Sequence, residues 1–155
     1  YVPTVSGFLY LAVFIDIFSR KVVGWSMSST MKYTLVTSAF NQAYGREHPE
    51  QGLLVHTDQG SQYTSGPFVR LLNQRHCIHS MSRKGNPYDN AVSESFFKTL
   101  KRELVNDEHY ADHEQARRSI FRYIEKYYNN QRIHFSLGWV SPSQFESRRE
   151  NNSVA

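Results

Sequence analysis

Phe8 to Ile15 (Phe-Leu-Tyr-Leu-Ala-Val-Phe-Ile) is an unbroken apolar run of strand-forming residues. A run this short and this rich in aromatic and β-branched side chains reads as a strand buried on both faces, so other layers must cover each side of it. Asp16-Ile17-Phe18-Ser19-Arg20 then makes a turn, and Lys21 to Met27, with Val22, Val23 and Trp25, returns as a second strand of a hairpin.

The remaining periodicities supply the layers. Ser28-Ser29-Thr30 offers N-caps for a helix with Leu35, Val36, Ala39, Phe40 and Ala43 on one face, and Gly45 offers its stop. Gly52 to Asp58 reads as a short strand running into the turn Gln59-Gly60-Ser61. Ser65 and Pro67 open a helix carrying Phe68, Leu71 and Leu72, and Ile78 to Met81 is a brief strand. Residues 82–90 gather Gly, Pro, Asn and Asp and read as a loop. From Asn90 onward, Val92, Phe96, Leu100 and Leu104 recur every fourth residue as an amphipathic helix. Asp112 with Gln115 forms a capping-box start for a helix through Ile120, Ile124 and Tyr127, and Pro142 starts a last one. A hairpin followed by helix–strand alternation predicts an α/β fold with a mixed sheet flanked by helices. The 155 residues suit one domain: a sheet-and-helix core over about 1–105 and a helical extension over 106–155.

Two carboxylates stand out by position. Asp58 closes a strand just before a glycine turn, at the edge where open α/β sheets bind ligands. Glu94 lies in the first turn of the helix after the loop, off its apolar stripe, with 35 residues separating it from Asp58. An acid at a strand end and one on a nearby helix can share divalent cations, since Mg²⁺ takes few carboxylates together with water and phosphate oxygens. Taken singly, each has an ordinary reading, as a turn residue and as a complement to a helix dipole. Charge adds to the case. Residues 70–104 carry 7 basic and 3 acidic side chains, whereas 1–69 carry 4 and 4 and 105–155 carry 7 and 7, so the whole excess of +4 lies in one segment. Lys98 and Lys101 share a helix face with Glu94, contiguous with Arg83 and Lys84, an arrangement that suits a phosphate backbone as well as a helix ion pair. Asn86, Tyr88 and Asn90 in the loop could contact bases or phosphates, or serve turn chemistry. With one cysteine, His76, Cys77, His79, His109 and His113 make a poor zinc site. His56 shares a strand face with Asp58, and Tyr123, Tyr127 and Tyr128 lie on the late helix. Packing is the default reading for all four.

The stretches Leu9 to Met27, His56-Thr57-Asp58-Gln59-Gly60-Ser61-Gln62-Tyr63-Thr64-Ser65, Ser80 to Lys98, and Tyr128-Asn129-Asn130-Gln131-Arg132-Ile133-His134 through Leu137-Gly138 and Ser141-Pro142 resemble the integrase catalytic core of bacterial insertion-sequence transposases, a group related to retroviral integrases. The resemblance spans nearly the whole chain. It implies a ribonuclease H-like fold and an Asp, Asp, Glu triad binding Mg²⁺ or Mn²⁺ as a pair of ions. It also implies strand cleavage and strand transfer, in which water and then a DNA 3′-hydroxyl attack phosphodiesters. By position Asp58 is the second triad acid and Glu94 the third. Lys101 falls where the family has a DNA-contacting base, and Arg83, Lys84, Asn86, Tyr88, Asn90, Lys98 and Arg102 are carried with it as candidate DNA contacts. The first triad acid of the family lies on a strand upstream of Tyr1, so the chain is expected to lack that strand, and two strands rather than three precede the first helix. Asp16 then reads as a turn residue accepting from backbone N–H groups near Ser19. DNA and further copies of the chain are the implied partners, in the bacterial cytoplasm at the nucleoid and with no membrane. A non-catalytic remnant that at most binds DNA, and a ribonuclease H-like nuclease, remain as alternatives.

Overall fold

The computed structural model describes residues 1–83 and 90–153. The long apolar run becomes β2 (Gly7–Ile15), the middle strand of an antiparallel meander with β1 (Val2–Thr4) and β3 (Val22–Ser28). The expectation of two strands before the first helix is therefore corrected to three. β1 is only three residues long and pairs Val2 with Leu9, Pro3 with Phe8 and Thr4 with Gly7. It escaped notice because a three-residue strand containing a proline carries no period-2 signal. β4 (Leu54–Thr57) and β5 (Ile78–Met81) form a separate parallel pair, so antiparallel and parallel pairing coexist, in two hydrogen-bonded groups.

Burial on both faces of β2 is what the structure shows. Leu9, Leu11, Val13 and Ile15 point into one core with Phe96, Leu100, Ile120, Tyr123, Ile124 and Tyr128. Tyr10, Ala12 and Phe14 point into another with Leu35, Val36, Phe40, Phe68 and Leu72. The period-2 alternation of the strand thus sorts its side chains between two layers of helices. On one side lie α1 (Tyr33–Glu47) and α2 (Gly66–Gln74). On the other lie α3 (Ala91–Glu103), α4 (His113–Phe121) and the π-helical turn Arg122–Tyr128. No helix among the described residues is long and apolar enough to cross a membrane.

Helix ends follow capping chemistry in part. Ser65 accepts from the Phe68 amide at the start of α2, and Asp112 accepts from the Gln115 amide at 2.8 Å at the start of α4. The start of α1 differs from expectation: Ser28 belongs to β3, Lys32 occupies the cap position, and no side chain caps the helix. Gly45 does not stop it either. The helix runs on to Glu47 and ends at His48, which adopts a left-handed φ of 45° ahead of Pro49, where helical backbone is disfavoured.

The π-helical turn replaces a regular α-helical stripe. The Asn129 amide donates to the carbonyl of Ile124, five residues back, and this wider turn buries Tyr128 while leaving Tyr127 exposed. It also delivers Asn129 to the start of β3, where its side chain accepts from the Val22 amide at 2.9 Å and donates to the Val22 carbonyl at 3.0 Å. Farther along, the Arg132 guanidinium clasps the Glu103 carboxylate with Nε at 2.9 Å and a terminal nitrogen at 2.8 Å. Tyr123 donates to the same carboxylate. These bonds tie the C-terminal region to the end of α3. The helix α5 (Pro142–Ser153) follows and is bonded to the meander turn by Glu146, which accepts from Ser19 and from Lys21, each at 2.9 Å.

Layers approach closely at Gly24. A Cβ built there would lie 2.4 Å from the Ala39 carbonyl oxygen and 2.6 Å from the Ala43 Cβ, so α1 rests directly on the backbone of β3. Gly24→Ala is expected to lower unfolding stability by roughly 2–3 kcal/mol, as overpacking does, readable as a reduced midpoint in urea at unchanged slope. A second expectation concerns acid. Burial first, and then the charges of Arg132 and Arg20, push the His134 imidazolium down to about 4, against about 6.5 in an unfolded chain. Stability is complete above pH about 6.5. It declines as the unfolded chain takes up the proton first, and the loss is complete near pH 4. Melting temperature should fall through that window, and His134→Gln should flatten the fall.

Candidate functional site

Asp58 follows β4 directly. Its Oδ1 accepts from the Gly60 amide at 2.7 Å, and the Tyr63 and Thr64 amides then donate to the Gly60 carbonyl at 2.9 and 3.1 Å. These bonds make an Asx-type turn that holds the carboxylate at the strand end while leaving its second oxygen available. A side chain at position 60 would press within 2.8 Å of Asp58 Oδ1, so the glycine leaves the carboxylate room to sit where it does. Tyr63 packs edge-on against Phe68, with ring centroids 5.7 Å apart. Burial, then the nearby Asp58 charge, push its hydroxyl up to about 12, so it remains a proton-bearing group beside the acid.

Glu94 lies in the first turn of α3. Phe96 and Leu100 of that helix are buried, while Glu94, Lys98 and Lys101 are exposed, as the offset from the apolar stripe dictates. The layers bring both acids to one place. A cleft of about 890 Å³ opens between the end of β2 and β4, and Asp58, Glu94, Lys98 and Lys101 all line it. Its floor is apolar, with Val13, Phe14 and Val55 among the contributors.

The other candidates fall in different places. Asn90 immediately precedes α3, and its Oδ1 accepts from Ser82. Arg83 is exposed just beyond β5. Lys101 also sits 5.6 Å from the centroid of the Tyr1 ring, a cation–π distance. Arg102 is absent from the cleft walls, and its guanidinium leans on Glu103 at 3.4 Å. Lys84, Asn86 and Tyr88 lie outside the described residues. Asp16 also lines the cleft, but its Oδ1 accepts from the amides of Phe18 and Ser19, each at 2.8 Å. Those bonds are the ones a turn carboxylate makes.

His56 departs from its packing expectation. It is exposed and lines the cleft, with Nδ1 3.0 Å from Ser80 Oγ and Nε2 3.1 Å from Ser82 Oγ. Sequence reasoning missed Ser82 entirely, although the Ser80-Met81-Ser82 alternation after a strand places two hydroxyls on the face that His56 occupies in the neighbouring one.

Asp58 and Glu94 offer hard carboxylate oxygens, the donor type that Mg²⁺ and Mn²⁺ accept. In number the set is partial: among the described residues no three His, Cys, Asp or Glu side chains gather closely enough to hold an ion.

Comparison with known proteins identifies the family. Two family models, both described as integrase core domain, match residues 1–87 and 75–142. The transposase for insertion sequence element IS904 of Lactococcus lactis is 60% identical over 146 residues, covering 94% of this chain and 58% of that protein. Transposase InsF for insertion sequence IS3A of Escherichia coli is 45% identical over 148 residues, covering 96% and 51%. The chain therefore spans little more than half the length of these relatives. Among solved structures, the catalytic core domain of BIV integrase superposes with a TM-score of 0.65 at 17% identity, over 94% of this chain and 90% of that one. The HTLV-2 integrase catalytic core in complex with magnesium superposes with a TM-score of 0.60 at 20% identity, over 87% and 82%. At such identities the likeness is one of fold, the ribonuclease H-like α/β architecture of these cores. Sheet, cleft and sequence together place the chain in the integrase core domain family.

Proposed function

We propose that the chain is the catalytic core of an insertion-sequence transposase, cutting and joining DNA strands with divalent metal. The observation that carries this reading is the convergence of Asp58, from a strand end, and Glu94, from the first turn of a helix, on one cleft also lined by Lys98 and Lys101. The 60% identical relative is named as a transposase. Asp58 and Glu94 would hold Mg²⁺ or Mn²⁺ as a pair of ions, and the magnesium-bound HTLV-2 core of the same fold supports that choice. Such ions supply activation of an attacking oxygen and neutralisation of a leaving one in phosphodiester exchange. The protein's own part is to position. The Asx turn fixes one acid, the first turn of α3 fixes the other, and the lysines draw the phosphate backbone over the cleft mouth. Arg83, Asn90 and Arg102, with Lys84, Asn86 and Tyr88, are kept as further candidate DNA contacts. Multimers on DNA are the functional assembly in this reading, and the trimeric and dimeric forms of the HTLV-2 core support it.

A third carboxylate would complete the proposed ligand set. β2 pairs with β1 only over Gly7–Leu9, and its end, from Val13 to Ile15, borders the cleft together with β4. A group lying beside that part of β2 would be placed to complete the set. A non-catalytic DNA-binding chain is the second reading, favoured by the partial ligand set.

A chimera in which the N-terminal part of the Lactococcus lactis transposase precedes this chain separates these readings. It should perform Mg²⁺-dependent strand transfer, whereas the 155 residues alone should bind DNA with little or no nicking. Asp58→Asn or Glu94→Gln in the chimera should reduce strand transfer by at least roughly 10³-fold while leaving the melting temperature unchanged, and full activity in either variant would sink the assignment. For the lysines, Lys98→Ala or Lys101→Ala should weaken binding to all DNA sequences alike. Each should reduce the slope of log affinity against log salt by about 1, measurable by fluorescence anisotropy.

A further inference from the structure

Ser82 sits just past β5 and is 4% exposed, yet it meets a polar partner in every direction. Its amide donates to the Thr57 carbonyl at 2.9 Å, and its carbonyl accepts from Gln59 Nε2 at 3.0 Å. Its hydroxyl lies 2.5 Å from Asn90 Oδ1, 3.1 Å from His56 Nε2 and 3.1 Å from the Thr57 carbonyl oxygen. Thr57 and Gln59 are the two chain neighbours of Asp58. Asn90 is the residue from which α3, and with it Glu94, departs. One buried residue, through its amide, carbonyl and hydroxyl, therefore joins the two flanks of the first acid to the root of the helix bearing the second.

We infer that Ser82, oriented by His56, is the positioning residue that sets where Glu94 stands relative to Asp58. The proton arithmetic supports the arrangement. A serine hydroxyl has one proton to give, and Asn90 Oδ1 is its nearest acceptor. The imidazole Nε2 then donates to Ser82 Oγ, which leaves Nδ1 to accept from the Ser80 hydroxyl at 3.0 Å. The relay from Ser80 through His56 and Ser82 to Asn90 is thus satisfied in one direction with a single histidine tautomer. The Asn90 side chain makes no bond to the α3 amides, and its carbonyl oxygen is given to Ser82 instead. Van der Waals packing of Phe96 and Leu100 holds the middle and far end of the helix, and the Ser82–Asn90 bond is what anchors its near end.

This inference rests on the proposed role of Asp58 and Glu94, and its test has one arm that does not. In the 155-residue chain, Ser82→Ala should speed amide hydrogen exchange at Ser95–Lys98, the second turn of α3, by about fivefold, the effect of one lost hydrogen bond. Exchange in the middle of α1 and in α4 should be unchanged. Asn90→Ala should reproduce the effect, and Ser82→Thr, which keeps the hydroxyl, should reverse it. Acceleration everywhere, or none in α3, overturns the anchor. The second arm titrates Mn²⁺ and follows paramagnetic broadening of the Gly60 and Glu94 amides by NMR. The two should broaden together in the parent chain, and in Ser82→Ala broadening at Glu94 should require at least about threefold more Mn²⁺ than at Gly60. Coincident broadening in Ser82→Ala overturns the positioning role. Absence of broadening in the parent chain counts against the metal-binding reading of the two acids, and the exchange arm then decides the anchor by itself.

Discussion

The two-sided burial of β2 is the constraint from which the rest of the molecule follows. A strand whose odd residues enter one core and whose even residues enter another cannot be satisfied by a single helical layer. α1 and α2 must lie on one face, and α3 and α4 on the other. That division also sets the chemistry. Asp58 follows a strand that runs into α2, whereas Glu94 rides on a helix from the opposite layer. Acids attached to different layers can approach one another only at the rim of the sheet, where the layers end and strand edges are open. The cleft is placed by the same packing that makes the core.

Close contact then converts placement into precision. Gly24 lets α1 sit on bare backbone, and no side chain could be added without moving the helix. Asn129 pairs with both main-chain groups of Val22 and so finishes the strand edge with a side-chain amide. The Glu103 clasp by Arg132 and Tyr123 holds the far end of α3, while Ser82 holds the near end. The helix carrying Glu94 is thus fixed at both ends by polar bonds and between them by Phe96 and Leu100. A group that must meet ligands from another layer benefits from that arrangement, since an error of about 1 Å in a reacting centre can cost two orders of magnitude in rate.

Most of this was legible from periodicity. The β2 run, the Leu35-to-Ala43 face, the Phe96 and Leu100 stripe and the Asp112 cap each declare themselves within a few neighbouring residues, and each is found where the pattern places it. The misses share a cause: in each, a distant contact decides against a local signal. β1 has too few residues to show alternation, and it exists because Leu9 and Phe8 offer a partner edge. Gly45 looks like a helix stop, but the stop belongs to His48 ahead of Pro49. Tyr127, expected to pack, is exposed because a π turn, invisible to a 3.6-residue count, buries Tyr128 and brings Asn129 to Val22.

The site divides along the same line. Asp58 and Glu94 are visible because strand ends and first helical turns are places where a carboxylate has a known physical consequence. His56 and Ser82 are not, because their value lies in a bond between two parallel strands whose register no single segment encodes. Only the pairing of His56 with Ser80 in that register lines up the imidazole with two hydroxyls. Asp16 shows the converse. By residue type it is as good a candidate as Asp58, and it even borders the same cleft, yet the amides of Phe18 and Ser19 already occupy its Oδ1. Asp58 Oδ1 is occupied in the same way by Gly60, so a hydrogen-bond count cannot separate the two. The difference is in what each turn serves. The Asp16 turn closes a hairpin whose strands already pair with each other. The Asp58 turn instead ends a strand whose onward neighbours, Gln59 and Ser82, bond toward the helix that brings the second acid. In the proposed site, Asp58 is marked out by the partner its backbone neighbours reach, more than by the bonds it makes itself.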